Sequence, residues 1–321
     1  MKEKTIDVLT YADLCVDAVV DVNGLSLSFG QKEQISQGYE LTLGGSCSIF
    51  AHQSAALGLR TAVVGRMGRD PMGKFLLDAH RMSSIITDHI ILDDAIKTCV
   101  SFCLARENDR AIITAGDSIT AVTEADIDYD QLALTRHLHI GSFFLLEGLR
   151  PHWKKIISTV KENEGTVSLD VNWDPEEKWN GIAELLPMVD IFFPNEQEAL
   201  SITNEKNLEK AVKTLTPLVG TLVVKKGPDG ADLYTKEGKW HEPAVDYKPF
   251  KDAIGAGDSF AGGFIYGFLT GATPLECLKI GSICGSLSTS ETGGTPGQPD
   301  IEVVNEILKS DYQSRIYRRP N

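Results

Sequence analysis

Asp252-Ala253-Ile254-Gly255-Ala256-Gly257-Asp258 is the stretch from which the fold of this chain can be read. Pro249 precedes it, so an extended segment leads in, and an apolar run from Ser259 to Leu269 follows. Within that run Phe260, Phe264 and Phe268 recur at helical spacing, with Gly263 and Gly267 beside them. This predicts a helix with one aromatic ridge and one bare groove. A glycine-rich turn that opens a helix leaves backbone N–H groups without intrahelical partners, aimed at whatever lies beyond the N-terminus. Small residues at Gly255, Ala256 and Gly257 keep that concavity open to a phosphate. Asp258 adds a carboxylate beside the anion site, which is tolerable if it takes a proton from an attacking group. The local reading is phosphoryl transfer to a hydroxyl, with Asp258 as base. The competing reading is an acid in a first helical turn, favoured by the helix dipole alone.

Composition narrows the classes. A chain of 321 residues, 42% hydrophobic and 24% charged, has the make-up of a globular protein able to bury a large core. A formal net charge of −14 argues against nucleic acid or an anionic membrane as the main partner. It leaves room for an anionic nucleotide, which needs only local N–H groups and a lysine. The six cysteines contain no C-x-x-C pair, so a reduced, cytoplasmic protein is expected. Met1 to Asp7 is too charged and short for a signal peptide, and no apolar run approaches the ~20 residues that span a bilayer.

Outward from the central stretch, the chain alternates strands and helices. Ile6 to Tyr11 reads as a first strand, with Asp13 and Asp17 at or just past its end, where open α/β sheets bind ligands. Two carboxylates there suit sugar hydroxyls; solvated turn acids are the plainer reading. The G-x-G-x-x-G of a dinucleotide fold is absent from this turn. Gly44 and Gly45 open a helical segment from Cys47 to Leu57, a second place for close backbone approach to a ligand. A strand from Thr61 to Val64 ends at Gly65, and turn residues lead to a helix from Lys74 to Arg81. Thr98 to Arg106 and Ala111 to Ala115, joined by Glu107-Asn108-Asp109-Arg110, read as a hairpin and a candidate lid. Residues 19–43 lack helical period and are expected to supply its other strands.

From His137 onward, strands and helices alternate regularly, predicting an α/β fold with a mainly parallel sheet covered on both faces. No linker divides the chain. One domain over 1–321 is expected, with a lid subdomain from about 13–43 and 96–117. Arg315, Arg318 and Arg319 read as a solvated basic tail.

Asn195 and Glu198 follow a strand in a capping-box pattern; functionally they could hold Mg²⁺ through waters. Lys225, at a strand end, could reach a phosphate, with Gly227 and Gly230 turning flat against a nucleotide or forming a plain hairpin turn. His137 and His139 share a strand face, but no third metal ligand is evident.

Together these features resemble the PfkB, or ribokinase-like, carbohydrate kinases over nearly the whole chain. The strongest match is the signature D-T-x-G-A-G-D-x-F, here Asp252 to Phe260. Five further features fall in family order: the Asp17 turn, Gly44-Gly45, Val64 to Gly73, Asn195-x-x-Glu198 and Lys225-x-Gly227-x-x-Gly230. The resemblance implies a three-layer α/β/α sandwich with a small β-sheet lid, and ATP with Mg²⁺. It implies Asp258 as catalytic base and the amides of Gly255, Ala256 and Gly257 as an anion hole. Asn195, Glu198, Lys225, Gly227 and Gly230 fall on the nucleotide side. Asp13, Asp17, Gly44, Gly45 and Asn172 would line the sugar pocket. Asp252 and the Ile254 carbonyl match a monovalent-cation position, K⁺ in many members, with Gly293-Gly294 nearby. The lid often forms a dimer contact, so a homodimer is expected.

The departures lie on the acceptor side. Ile49 stands where Asn is usual, Cys15 where a polar residue is common, and Asp170-Val171-Asn172-Trp173-Asp174 where D-x-N-x-R is frequent. An acid in place of that arginine speaks against a charged acceptor group at that point. The expected activity is ATP-dependent phosphorylation of a small neutral sugar-like molecule. A nucleoside kinase of the same fold is one alternative, and a non-catalytic sugar or nucleotide sensor is the other.

Overall fold

The computed structural model describes residues 3–26, 28–106 and 109–309. Strand β1 (Ile6–Tyr11) is buried at every position, as a strand covered by helices on both faces must be. It lies parallel to and between β4 (Thr61–Gly68) and β8 (Thr135–Ile140). Beyond β8 come β9 (Thr166–Leu169), β10 (Ile191–Phe192) and β11 (Thr221–Lys225), all parallel. The antiparallel hairpin β12 (Ala231–Tyr234) and β13 (Lys239–Glu242) closes that edge, and β5 (Ile90–Asp93) closes the other beside β4.

Helices form the outer layers. One core cluster joins the sheet to α3 (Tyr129–Ala133), α4 (Trp153–Glu162), α5 (Ile182–Leu185), α6 (Glu196–Thr203) and α7 (Leu208–Leu215). A second joins it to α1 (Ser46–Ala56), α8 (Ala256–Leu269) and α9 (Pro274–Ser288), with α10 (Ile301–Lys309) outside α9. Helix α2 (Pro71–Met82) covers β4. In α8 the aromatic ridge is carried by Phe260 and Phe264, whose rings stack at 6.4 Å and reach Phe193; Phe268 is 36% exposed.

A separate four-stranded sheet holds β2 (Cys15–Asp21), β3 (Tyr39–Gly44), β6 (Cys99–Arg106) and β7 (Asp109–Ala115), in the order β3-β2-β6-β7. The chain leaves the large sheet after Tyr11 and enters the small one at Cys15. Asp17 therefore stands inside a strand, not in a turn. Pairing places Asp17, Thr42, Ser101 and Thr114 in one row, and Ala18, Leu41, Phe102 and Ile113 in the next. Neighbouring rows face opposite sides of a sheet, so one side carries Asp17 and the other is apolar.

Several boundaries shift for physical reasons. Strand β4 runs on to Gly68 because β5 pairs with Gly65 through Gly68. Helix α2 starts at Pro71, since the Asp70 side chain accepts the Gly73 amide and caps it there. Helix α4 begins at Trp153, after a 3₁₀ turn over Glu147–His152 that contains Pro151. The turn residues Glu107 and Asn108 and the basic tail Arg315, Arg318 and Arg319 lie outside the described residues. Among the described residues no helix is long and apolar enough to cross a membrane.

Candidate active site

The site gathers where β1, β9 and β11 end and helices α1 and α8 begin. Gly255 is the N-cap of α8 in the left-handed region, φ 70°. A Cβ there would lie 2.7 Å from Ile49 Cγ2 and 2.9 Å from Gly294 Cα, so glycine is needed both for the turn and for the close approach. The amides of Gly255, Gly257 and Asp258 donate to no protein group among the described residues. The Ala256 amide reaches Ala253 O at 3.3 Å.

Lys225 comes up from β11 beneath this turn. A Cβ added at Gly257 would stand 3.1 Å from its Nζ. The same ammonium forms an ion pair with Asp170, at the end of β9. Asp258 is half-buried in the first turn of α8. Burial pushes its carboxyl well above the usual range, the charge of Asp170 adds to this, and Lys225 opposes it.

On the acceptor side, Asp13 is 4% exposed and fully engaged. Its oxygens accept the amides of Ser46 and Cys47 at 3.1 and 3.0 Å and the Ser142 hydroxyl at 2.6 Å. Asp13 thus serves α1 as a cap from a distant strand end, a favourable place for a negative charge. Gly45, at φ 82°, passes so close that a Cβ would lie 2.1 Å from Asp13 O. A Cβ on Gly44 would lie 2.1 Å from Asp17 Oδ1. Asn172, with φ 56°, donates to the hydroxyls of Ser46 and Ser142 at 2.7 and 3.1 Å. Burial pushes Asp17 up to about 7, with the charge of Asp13 adding to it and Arg110 pulling it down. All five predicted sugar-pocket residues are therefore brought together.

Asn195 and Glu198 close a complete capping box, with Asn195 Oδ1 accepting the Glu198 amide at 2.9 Å and Glu198 Oε2 the Asn195 amide at 2.8 Å. The plainer, capping reading of this pair holds. Burial raises Glu198 to about 7, while Lys225 lowers it and Asp170 raises it. Gly227 and Gly230 take φ 56° and 85° just beyond β11, the second pressed against Glu242 O. Asp252 accepts the amides of Ile254 and Gly293, each at 3.0 Å, and Arg110 Nη1 approaches it at 3.7 Å.

Three carboxyls, Asp170, Glu198 and Asp258, surround the single ammonium of Lys225, and Asp170 Oδ1 is buried without a partner. Such an excess of buried negative charge fits a cation arriving with phosphates. Among the described residues no group of three metal-binding side chains converges to hold a metal alone.

Other expectations change. The Asp174 carboxylate is turned into its own loop, accepting the amides of Glu176, Lys178 and Trp179. It therefore says nothing about the charge of an acceptor. His137 and His139 are buried, bonded to Thr166 and Ser168, and held neutral by desolvation. The sequence reading missed Asp170 and Ser142 as site residues. The first had a signal, a carboxylate at a strand's C-terminal end like Asp13. Ser142 had none.

A model of the pfkB family of carbohydrate kinases matches residues 6–301. The chain belongs to the pfkB carbohydrate kinase family. It is an ATP-dependent carbohydrate kinase of ribokinase-like fold. Probable fructokinase-7 of Arabidopsis thaliana is 25% identical, over 97% of this chain and 96% of that protein. Fructokinase-2 of Solanum habrochaites is also 25% identical, over 94% and 96%. In three dimensions the chain overlays ribokinase of Arabidopsis thaliana complexed with ribose and ATP, with TM-score 0.81 at 22% identity, over 95% of this chain and 99% of that one.

 Ribokinase from Thermotoga maritima overlays with TM-score 0.80 at 22% identity, over 95% of this chain and 100% of that one. Adenosine kinase from Sinorhizobium meliloti overlays with TM-score 0.82 at 18% identity, over 94% and 99%. At these identities the overlays speak for the fold.

Proposed function

We propose that this kinase transfers the γ-phosphoryl group of ATP to a hydroxyl of a small, sugar-like acceptor. The observation that carries the reading is the first turn of α8. Its amides at Gly255, Gly257 and Asp258 have no protein partner among the described residues, a Cβ at Gly257 would stand 3.1 Å from Lys225 Nζ, and the charges of Lys225 and Asp258 interact. Asp258 takes the proton of the attacking hydroxyl, and its raised affinity for protons suits that task. The open amides and Lys225 stabilise charge on the moving phosphoryl group. Asp13 and Asp17 accept hydrogen bonds from other acceptor hydroxyls, while Asn172, Gly44 and Gly45 shape the pocket around them.

Asn195, Glu198, Lys225, Gly227 and Gly230 are proposed to line the nucleotide side. Magnesium bound with ATP would neutralise phosphate charge there, with Glu198 reaching it through water. Asp252 and the Ile254 carbonyl are proposed for a monovalent cation; the approach of Arg110 supports the attraction of that carboxylate for positive charge. The small sheet, from about 13–43 and 96–117, is proposed as a lid that excludes water.

Two copies are proposed to pair through the apolar side of this lid. Phe102 and Ile113 are 46% and 62% exposed there, beside Leu41 at 38%. A contiguous apolar sheet face of this kind favours a partner over water.

The test is a coupled ADP-release assay across free sugars, including fructose and ribose, and nucleosides, with Mg²⁺ and ATP. Acceptor-dependent ADP release is expected. Its absence across the whole panel would return the chain to a non-catalytic, sensing role.

A further inference from the structure

Helices α1 and α8 each bring one half of the reaction to the site. The start of α1 holds Asp13 through the amides of Ser46 and Cys47, and the start of α8 carries Asp258. Phosphoryl transfer needs the two halves in register, because in-line attack tolerates little displacement.

One side chain links the two helices at that end. Gln298 lies in the segment between α9 and α10. Its Nε2 donates to Ile49 O of α1 at 3.0 Å and to Ser259 Oγ of α8 at 2.8 Å. Its Oε1 accepts from His52 Nδ1, also of α1, at 2.6 Å. A carbonyl can only accept, so Ile49 O fixes which end of the amide is nitrogen, and His52 carries a proton on Nδ1. The backbone beside it is held as well: Gln53 of α1, fully buried, donates to Pro299 O at 2.8 Å.

The α8 end of the link falls on the reactive turn. Ser259 is fully buried and directly follows Asp258. Its amide donates to Gly255 O at 2.8 Å, closing the first turn of α8. Further along the helix, Gly262 brings α8 against α1, where a Cβ would lie 3.0 Å from Gln53 Cβ. That packing contact sets the spacing of the helices. Dispersion has little direction, so it leaves their slide past one another to the directional bonds of Gln298.

Resting on the kinase reading above, we propose that Gln298 is a positioning residue: it holds the first turn of α8 in register with α1 and so sets the acceptor hydroxyl against Asp258. It acts through Ser259 and Ile49. Each half of the site stays complete without it, so its loss falls on kcat and not on binding.

The experiment measures kcat and both KM values by ADP release for the parent, Gln298→Met, Ser259→Ala and the double variant. It uses Mg²⁺, ATP and whichever of fructose, ribose and adenosine the parent turns over fastest. Gln298→Met keeps the side chain's length and removes its hydrogen bonds. Assays run well below the Tm of each variant, so unfolding does not enter. Each single variant is expected to lower kcat about 10–100-fold, the scale of loss for a small misplacement of reacting groups, with both KM values within about twofold of the parent. The double variant is expected to match Gln298→Met, since one link is lost only once. Should Gln298→Met fail to fold, Ser259→Ala, which removes only the α8 end, carries the same test. Unchanged kcat, a rise in KM without a fall in kcat, or losses that multiply in the double variant would overturn the proposal while leaving the kinase reading intact. A parent that releases no ADP with any of these acceptors would overturn both.

Discussion

Lys225 and Asp170 form an ion pair that reaches across β10, with the ammonium directly under the first turn of α8. Asp170 is 1% exposed and its second oxygen has no partner, so the pair keeps its charge balance only while Lys225 is present. Lys225→Ala is expected to destabilise the fold by about 3–5 kcal/mol, the cost of leaving a buried charge unpaired. It should also lower kcat by removing positive charge from the phosphoryl site. Denaturant unfolding and steady-state kinetics check both; unchanged stability would show that the pair is not isolated from water.

Asp258→Asn preserves the shape of the first turn of α8 and removes its base. A fall in kcat of about 10²–10⁴-fold is expected, the range for a lost general base, with ATP affinity by calorimetry nearly unchanged. Near-normal turnover would contradict the assignment.

Gly44→Ala would place a methyl group 2.1 Å from Asp17 Oδ1. One of the two must move, and Asp17 is the freer. The acceptor KM should rise about tenfold or more while the ATP KM stays near the parent value. Equal changes in both would point to general distortion instead.

The titration of Asp17 links stability to pH. Its carboxyl is pushed up to about 7 in the fold, whereas an unfolded Asp titrates near ~4. Between those values the folded protein holds a proton that the unfolded chain has lost. The contribution of Asp17 to stability is therefore greatest below about pH 4, falls as pH rises toward about 7, and levels off above. Asp17→Asn lacks this penalty, so its Tm relative to the parent should climb between about pH 5 and pH 8. A Tm difference that stays constant over that interval would rule out the linkage.

The apolar side of the lid predicts an assembly. Light scattering should give a mass near twice the 35.0 kDa of one chain. The double variant Phe102→Glu, Ile113→Lys should return it to one copy with its secondary structure intact. A parent protein that is monomeric at micromolar concentration would dispose of the pairing.

The sequence by itself determined what depends on a few neighbouring residues. The period of Phe260 and Phe264 marked α8, the small residues before it marked the turn, and strand–helix alternation marked the sheet. Its motifs, in order, also identified the family, because glycines at forced turns and acids at strand ends are local requirements. Only the tertiary structure decided which side chains meet. Ser142 reaches Asp13 across 129 positions and Lys225 reaches Asp170 across 55. Asp174 turns away into its own loop, and the Ala256 amide bends back to Ala253. These outcomes follow from how β-strands distant in sequence are stacked and where their ends bend. Packing sets that geometry over the whole core, and no local spacing encodes it.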